Sequence, residues 1–185
     1  MRLPELKILM NIPAADTSQD DYLNGMLPLM LEWVKDYCLT DFKGDKIDDC
    51  VFDPDNTITA DGAAHNVDDD DIIMFDSSIA EISSNRWYYV VNAGVADTFQ
   101  VSTMLDGDAV TFDGDIDNEG VYYRVTFPGG VKIAVAKAIE YISVNLALQS
   151  ESLGDYKVVY SLATNWNDFP PHVRNLLRPY RRHVI

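Results

Sequence analysis

Residues 129–160 read GGVKIAVAKAIEYISVNLALQSESLGDYKVVY and contain the longest periodic segment of the chain. Six apolar residues recur there at the spacing of one helix face: Val131, Val135, Ala138, Ile139, Ile142 and Leu146. Because further apolar residues lie beyond that face, the helix needs neighbours on several sides. The pattern predicts a core helix, and a helix shared between the core and a subunit interface is the alternative.

The acidic residues are concentrated in the middle of the chain. The 185 residues include 30 acids and 14 bases, which gives a net charge of −16, and 47% of them are hydrophobic. Residues 51–129 hold 16 acids and 2 bases, whereas residues 130–185 hold 4 acids and 7 bases. A domain with this much negative charge repels nucleic-acid phosphate and is not expected to bind nucleic acid. The charge could instead be used to mimic DNA or to line a passage to which DNA must not stick.

The ends and the cysteines give little sign of export or of a membrane. No apolar run reaches the roughly 18 residues of a membrane span, and the N-terminus lacks the apolar core of a signal peptide. Cys38 and Cys50 match no disulfide framework or zinc spacing and are expected to be reduced thiols. We therefore expect a cytosolic protein.

Helical periodicity is also present before the acidic region. Residues 3–12 predict a short helix, and residues 18–38 predict a longer one that Pro28 should kink or divide. The apolar face expected for the longer helix consists of Tyr22, Met26, Leu29, Met30, Trp33, Val34 and Tyr37. The two long helices, 18–38 and 131–148, are expected to pack against each other.

Between these helices, short runs rich in β-branched and aromatic residues predict strands. They are residues 71–75, 86–92, 98–102, 109–112 and 121–127. The fold class predicted is therefore α+β. Residues 1–50 and 128–185 would form a helical scaffold of two long antiparallel helices plus short terminal helices, and residues 51–127 an inserted all-β sandwich or barrel module.

The C-terminal third predicts a strand and a last helix. Leu153-Gly154 is typical of a helix end, and the alternation after it predicts a strand that needs a partner, either the β module or a neighbouring subunit. Residues 168–179 predict a short helix with Val173, Leu176 and Leu177 turned inward, followed by a basic tail.

Few residue patterns indicate chemistry. Residues 113–120 space carboxylates as calcium loops do, but Asn118 and Arg124 occupy positions that need Gly and Glu, so we expect a solvated turn. The histidines His65, His172 and His183 have no partner pattern, and no catalytic motif is present, so we expect neither an enzyme nor a metal or cofactor.

The basic cluster of the C-terminus is the one concentrated positive surface. It consists of Arg174, Arg178, Arg181 and Arg182. The cluster either complements the dipole of the last helix or contacts an acidic partner surface or DNA phosphate.

About half of the chain resembles the head-tail connector (adaptor) proteins of long-tailed bacteriophages. The resemblance lies in residues 21–38, in residues 131–148 followed by 150–156, and in residues 176–182. Residues 87–92, 97–102, 107 and 109–112 resemble the small β modules of phage tail and structural proteins, which connectors of this family commonly lack.

The resemblance implies a structural protein of the virion neck. Such proteins form a twelve-fold homo-oligomeric ring beneath the portal, extend the channel through which phage DNA passes without sequence-specific binding, and carry the next connector, stopper or tail protein. The implied portal-binding residues are Leu176, Leu177, Arg178, Tyr180, Arg181 and Arg182. The implied subunit-interface residues are Ile139, Ile142, Leu146, Tyr156, Val158 and Tyr160.

Two other functions stay open from the sequence. An acidic inhibitor that mimics DNA would account for the net charge of −16, although the basic tail fits it poorly. Alternatively, the β insert could be a carbohydrate- or capsid-binding module displayed outside the neck.

Overall fold

The computed structural model divides the chain into two compact units. One unit comprises Met1–Arg2 and Asp41–Thr126, and the other comprises Leu3–Thr40 and Phe127–Ile185. The structure describes residues 1–53, 55–61, 65–76, 78, 81–84, 86–94, 97–112, 118–147, 150–153, 156–159 and 168–182. For residues 118, 145–147, 150–153 and 156–159 it describes the backbone alone. We refer to the two parts as the barrel unit and the helical unit.

The barrel unit is a closed barrel of six antiparallel strands. The strands are β1 (Lys43–Phe52), β2 (Ile58–Ala60), β3 (Ile72–Phe75), β4 (Tyr88–Val91), β5 (Thr98–Ser102) and β6 (Asn118–Val125). Their order is β1-β2-β5-β4-β3-β6, and β6 pairs back with β1 to close the barrel. Closure gives every strand two neighbours, so the barrel presents no open sheet edge.

Aromatic rings fill the barrel because alternate residues of its strands point inward. Phe52 lies 5.3 Å from Phe75 and 5.7 Å from Phe112, measured between ring centroids. The Tyr122 hydroxyl donates a 2.8 Å hydrogen bond to the backbone carbonyl of His65, which satisfies the polar end of a fully buried ring. The interior is therefore a packed core.

The first strand bends where it pairs with the last. The register between β1 and β6 shifts between Lys43 and Lys46 and again between Lys46 and Asp48. Gly44 lies in this bent part, and a Cβ atom there would stand 2.7 Å from the Arg124 carbonyl oxygen. Glycine at position 44 therefore permits the close approach of two backbones that the bulged strand needs.

The helical unit contains four helices and a hairpin. The helices are α1 (Leu3–Leu9), α2 (Asp20–Cys38), α3 (Gly129–Ala147) and α4 (Pro171–Leu177), with a 3-10 turn at Arg178–Tyr180. The hairpin pairs β7 (Ser150–Leu153) with β8 (Tyr156–Val159). Lys7 joins α1 to the start of α2, since its buried ammonium group donates to the Ala14 and Asp16 carbonyls and to the Asp20 carboxylate.

The predicted fold class is wrong. The chain is mostly a closed six-stranded antiparallel barrel with four short helices, rather than a helical scaffold built on two long antiparallel helices. The error arose in part because two strands were missed. β1 is rich in Asp, Lys and Gly, and β2 is only three residues long, so residues 43–52 and 58–60 were not predicted as strands.

Single elements agree with the sequence to different degrees. The strands at 72–75, 88–91 and 98–102 are confirmed, whereas residues 109–112 form no strand. The inward face predicted for α3 is confirmed from Val131 to Ile142. The face predicted for α2 is wrong in part, because an overlapping set with the same spacing is buried: Leu23, Leu27, Met30, Leu31, Val34 and Cys38.

The hairpin corrects two further predictions. Leu153 ends a strand rather than a helix, since α3 already ends at Ala147. The strand at Tyr156–Val159 has its partner in β7 of the same chain, so it needs neither the barrel nor a second subunit for its pairing. A two-residue connection between Leu153 and Tyr156 makes this local pairing possible.

Candidate functional site

The four C-terminal arginines lie on a segment that contacts within the helical unit hold in place. We call Arg174, Arg178, Arg181 and Arg182 the arginine surface. The Arg181 guanidinium lies 5.0 Å from the centre of the Tyr37 ring, and the Arg182 backbone N–H donates to the Cys38 carbonyl at 2.9 Å. The tail is thus attached to the end of α2, and its cationic groups have a defined position.

The start of α3 holds the same segment. Gly130 lies so close to the Tyr180 ring that a Cβ atom at position 130 would stand 2.5 Å from the Tyr180 hydroxyl. Val173 and Leu177 are buried, which anchors α4 from beneath. Gly130 therefore has a packing role that the sequence did not indicate, whereas a Cβ atom at Gly129 would have nothing within 4 Å.

No described residue supplies an acidic partner to the arginine surface. Residues 171–182 contain four arginines and no Asp or Glu. Within the described part of the chain, none of these arginines forms an ion pair, and the buried Nε atom of Arg174 has no hydrogen-bond partner. Cationic groups without internal carboxylates are available to an external acidic group.

The predicted portal-binding residues differ in their exposure to solvent. Arg178, Arg181 and Arg182 are exposed, whereas Leu176 and Tyr180 are half-buried. Leu177 is fully buried, so its side chain anchors α4 and does not face solvent. The surface that a partner meets is therefore basic rather than apolar, and the assignment to a portal stays a prediction.

The predicted subunit-interface residues lie in several settings. Ile139 and Ile142 are 0% and 6% exposed within the single chain. Leu146 lies in α3, and Tyr156 and Val158 lie in β8, where the backbone alone is described; Tyr160 is outside the described residues. Among the α3 side chains that the structure describes, Ile133 and Val144 are the large apolar ones that are exposed, at 43% and 52%.

Almost all of the net charge belongs to the barrel unit. Its residues include 20 acids and 5 bases, a net charge of −15, whereas the helical unit has 10 acids and 9 bases, a net charge of −1. Charge of one sign over so small a body creates a field that repels polyanions and attracts cations.

All five bases of the barrel unit are engaged by contacts within that unit. Arg2 pairs with Asp68 and Asp71, and Arg124 pairs with Asp71 from the other side, at N–O distances of 3.0, 3.3 and 3.4 Å respectively. The other three bases also have neighbours: Lys46 pairs with Asp49 at 2.6 Å, Lys43 lies 3.5 Å from the Tyr123 ring centre, and Arg86 lies 5.7 Å from that of Tyr88. The remaining carboxylates dominate the surface.

One shallow depression of about 500 Å³ gathers four of these carboxylates. We call it the acidic depression, and its lining includes Asp69, Asp70, Asp106, Asp108 and the amide of Asn92. Partial burial, followed by the neighbouring Asp106 and Asp69 carboxylates, raises the pKa of Asp70 above its usual value. The chain brings the four together from two turns that are far apart in the sequence, one at Asp69 and Asp70 and the other at Asp106 to Asp108.

The thiols and histidines do not indicate catalysis. Burial raises the pKa of Cys38 to about 11, against the opposing effect of Arg181, and burial raises the pKa of Cys50 to about 12. His65 is buried in the barrel, His172 is exposed on α4, and His183 lies outside the described residues. Thiols held so strongly in the protonated form are poor nucleophiles.

The described residues also bear on metals and membranes. No group of three or more His, Cys, Asp or Glu among them is arranged to hold a metal ion, and most of the calcium-like run at 113–120 lies outside them. None of the helices in that part of the chain is long and apolar enough to span a bilayer.

Comparison with known proteins leaves the family open. The chain matches no protein-family model and no curated protein. The features of the chain that bear on function are therefore its two charged surfaces and the residues that carry the connector resemblance.

Proposed function

We propose that this protein is a subunit of a head-tail connector ring in a tailed bacteriophage. It would assemble beneath the portal, extend the DNA channel and carry the next neck or tail component. The proposal assigns the protein to the virion neck and gives it a structural rather than an enzymatic role. It involves no cofactor and no sequence-specific contact with DNA.

The separation of charge is the observation that carries the proposal. A ring subunit around DNA needs surface that does not retain the DNA, and a barrel unit with a net charge of −15 meets that need. It also needs separate surface for protein partners, and the arginine surface lies in the other unit, held by Tyr37 and Cys38. An acidic barrel unit suits a passage for DNA, and the arginine surface of the helical unit suits a docking site for a protein partner.

The connector resemblance gives this charge pattern its biological setting. Residues 21–38 and 131–148, which carry the resemblance, largely coincide with α2 and α3. Both helices supply buried residues to one unit, and the arginine surface is attached to the end of α2 and the start of α3. The resemblance and the basic surface thus belong to the same part of the chain.

Electron microscopy of the purified chain, alone and mixed with the portal of the phage that encodes it, tests the proposal. We expect rings of many copies, either in isolation or seated on the portal. A matched variant, Arg178→Glu/Arg182→Glu, should weaken seating while the barrel unit keeps its fold. A chain that stays monomeric and never joins the portal would contradict the proposal.

The net charge of the barrel unit also favours a second candidate, a protein that mimics DNA and inhibits a DNA-binding enzyme. Such a protein should compete with duplex DNA for a restriction enzyme or polymerase, with an inhibition constant that rises steeply with salt. Full enzyme activity at a large molar excess of the protein would exclude this function for the enzyme tested.

A further inference from the structure

The segment that carries the arginine surface is held in place, and no ion pair to its arginines is present among the described residues. Stacking of Arg181 on Tyr37 and the backbone hydrogen bond to Cys38 fix the segment, and Arg178, Arg181 and Arg182 are exposed. Guanidinium groups in such a position favour carboxylate or phosphate groups, to which each can donate two parallel hydrogen bonds. The occupant is therefore an anionic surface.

Nucleic acid is a poor occupant for this surface. A DNA duplex carries a phosphate charge about every 1.7 Å along its whole length, so most of its phosphates would lie beyond the four arginines and would be repelled by a chain whose net charge is −16. A folded acidic protein surface can instead present a few carboxylates to the arginines. The observations favour carboxylates over phosphates.

The acidic depression on the barrel unit is a carboxylate surface of suitable chemistry. Its four Asp residues lie around one concavity, and partial burial, followed by repulsion from Asp106 and Asp69, raises the pKa of Asp70. A guanidinium group placed there would relieve this repulsion. Every copy of the protein carries both surfaces.

We propose that the arginine surface of one copy binds the acidic depression of a second copy. The contact is heterologous, because different surfaces of the two copies meet, so each copy can accept one neighbour and offer itself to another. Repetition of such a contact gives a ring if the rotation closes. The inference deepens the proposed function and rests on it for the ring, since it names the contact that joins neighbouring subunits.

Two full-length variants, each of which keeps one surface intact, test this contact. Arg178→Glu/Arg182→Glu removes the basic surface, and both side chains are exposed. Asp69→Asn/Asp108→Lys removes most of the negative charge of the depression. The amide oxygen introduced at position 69 can still accept the Ala93 N–H, as the Asp69 carboxylate does at 2.8 Å. Analytical ultracentrifugation at low salt measures the mass of each variant and of their mixture.

We expect different masses for the wild type, for each variant alone and for the mixture of the two variants. Wild type forms species larger than the 20.8 kDa monomer, each variant alone stays monomeric, and an equimolar mixture forms a heterodimer and nothing larger. The heterodimer forms because one variant supplies an intact arginine surface and the other an intact depression. Wild-type association should weaken at least about tenfold between low salt and about 0.5 M salt, where charges are screened beyond a few ångströms.

Control variants change charge elsewhere on each unit. Lys137→Glu reverses an exposed base on α3, and Asp97→Asn removes an exposed acid from the barrel unit outside the depression. Both should associate as wild type does. Circular dichroism and thermal melting of every variant establish that lost association does not come from lost folding.

Four outcomes would overturn the inference. A wild type that stays monomeric at all salts, a mixture that stays monomeric, or rings that tolerate both double variants would each do so. If Arg178→Glu/Arg182→Glu leaves rings intact but prevents portal binding, the portal occupies the arginine surface, so the inference fails and the proposed function stands. If wild type assembles through this contact but binds no portal, the contact stands and the proposed function fails.

Discussion

The two units of this chain each bury an apolar core but distribute their charge in opposite ways. The barrel unit has 20 acids and engages all five of its bases internally, whereas the helical unit nearly balances its charge and leaves four arginines without an ion pair among the described residues. The net charge of −16 therefore describes the barrel unit and not the helical unit. One unit carries a negative field that repels polyanions, whereas the other exposes the cationic side chains of Arg178, Arg181 and Arg182.

The largest expected effects come from the two cores. Phe52→Ala should lower the free energy of unfolding of the barrel unit by about 3–5 kcal/mol, and Leu31→Ala should lower that of the helical unit by about 2–5 kcal/mol. Both side chains are fully buried, and Phe52 belongs to a cluster made of barrel residues alone. Hydrogen exchange resolved by segment should show faster exchange mainly in the unit that carries the change.

Equal acceleration in both units after either substitution would contradict this separation. It would mean that the barrel and the helices unfold as one cooperative body. Conservative variants, Phe52→Leu and Leu31→Met, keep most of the buried volume and should cost less than about 1.5 kcal/mol.

Two glycines distinguish the units, because replacement by alanine should lower the stability of the barrel unit and raise that of the helical unit. Gly44→Ala places a methyl group against the Arg124 carbonyl and the Thr126 side chain, and should destabilise the barrel unit by about 1–3 kcal/mol. Gly25→Ala lies in α2 with nothing within 4 Å of the added carbon, and should stabilise the helical unit by about 1 kcal/mol. Chemical denaturation of the purified variants measures both.

The sign of the Gly44 effect is the informative part. A neutral Gly44→Ala would mean that β1 and β6 do not approach as closely as the bulged register requires. Gly94→Ala, with open space around the added carbon, is the matched substitution in the barrel unit and should lack this penalty.

The smallest expected effect concerns Asp70 in the acidic depression. Its pKa is raised in the folded protein by burial and by Asp106 and Asp69, so ionisation costs stability. The contribution of the Asp70 carboxyl to the free energy of unfolding is complete below its unfolded pKa of about 3.9. That contribution falls as pH rises through the higher pKa of the folded state. Asp70→Asn should therefore stabilise the barrel unit at pH 7 by about 0.5 kcal/mol.

Thermal melting at two pH values checks the origin of this gain. At about pH 3.5 the carboxyl is mostly protonated in both states, so Asp70→Asn should leave the melting temperature nearly unchanged. Asp97→Asn removes an acid outside the depression and should give a smaller gain at neutral pH. A gain from Asp70→Asn that persists undiminished at the acidic pH would assign the effect to backbone preference at φ 68° rather than to charge.

Local periodicity predicted some elements and missed the architecture. The face of α3 from Val131 to Ile142 and the strands around Ile72, Tyr88 and Thr98 follow from spacing and side-chain type. The closed barrel did not follow. Its first two strands carry polar residues, and its closure depends on pairing between β1 and β6, which are distant in sequence.

The candidate surfaces were predictable to different degrees. The arginines stand out in the sequence because no acid lies between Pro171 and Arg182. The burial of Leu177 and the attachment to Tyr37 and Cys38 depend on packing, which spacing alone does not determine. The acidic depression needs Asp69 and Asp106 to meet across the fold, so no local pattern could have indicated it.

The mass of the wild-type protein in solution shows whether copies of the chain assemble through contacts between opposite charges. Sedimentation at low salt should show an assembly of many 20.8 kDa chains that dissociates as salt increases, because contacts between opposite charges hold it together. A single 20.8 kDa species at every salt concentration, unchanged when the portal is added, would contradict the account.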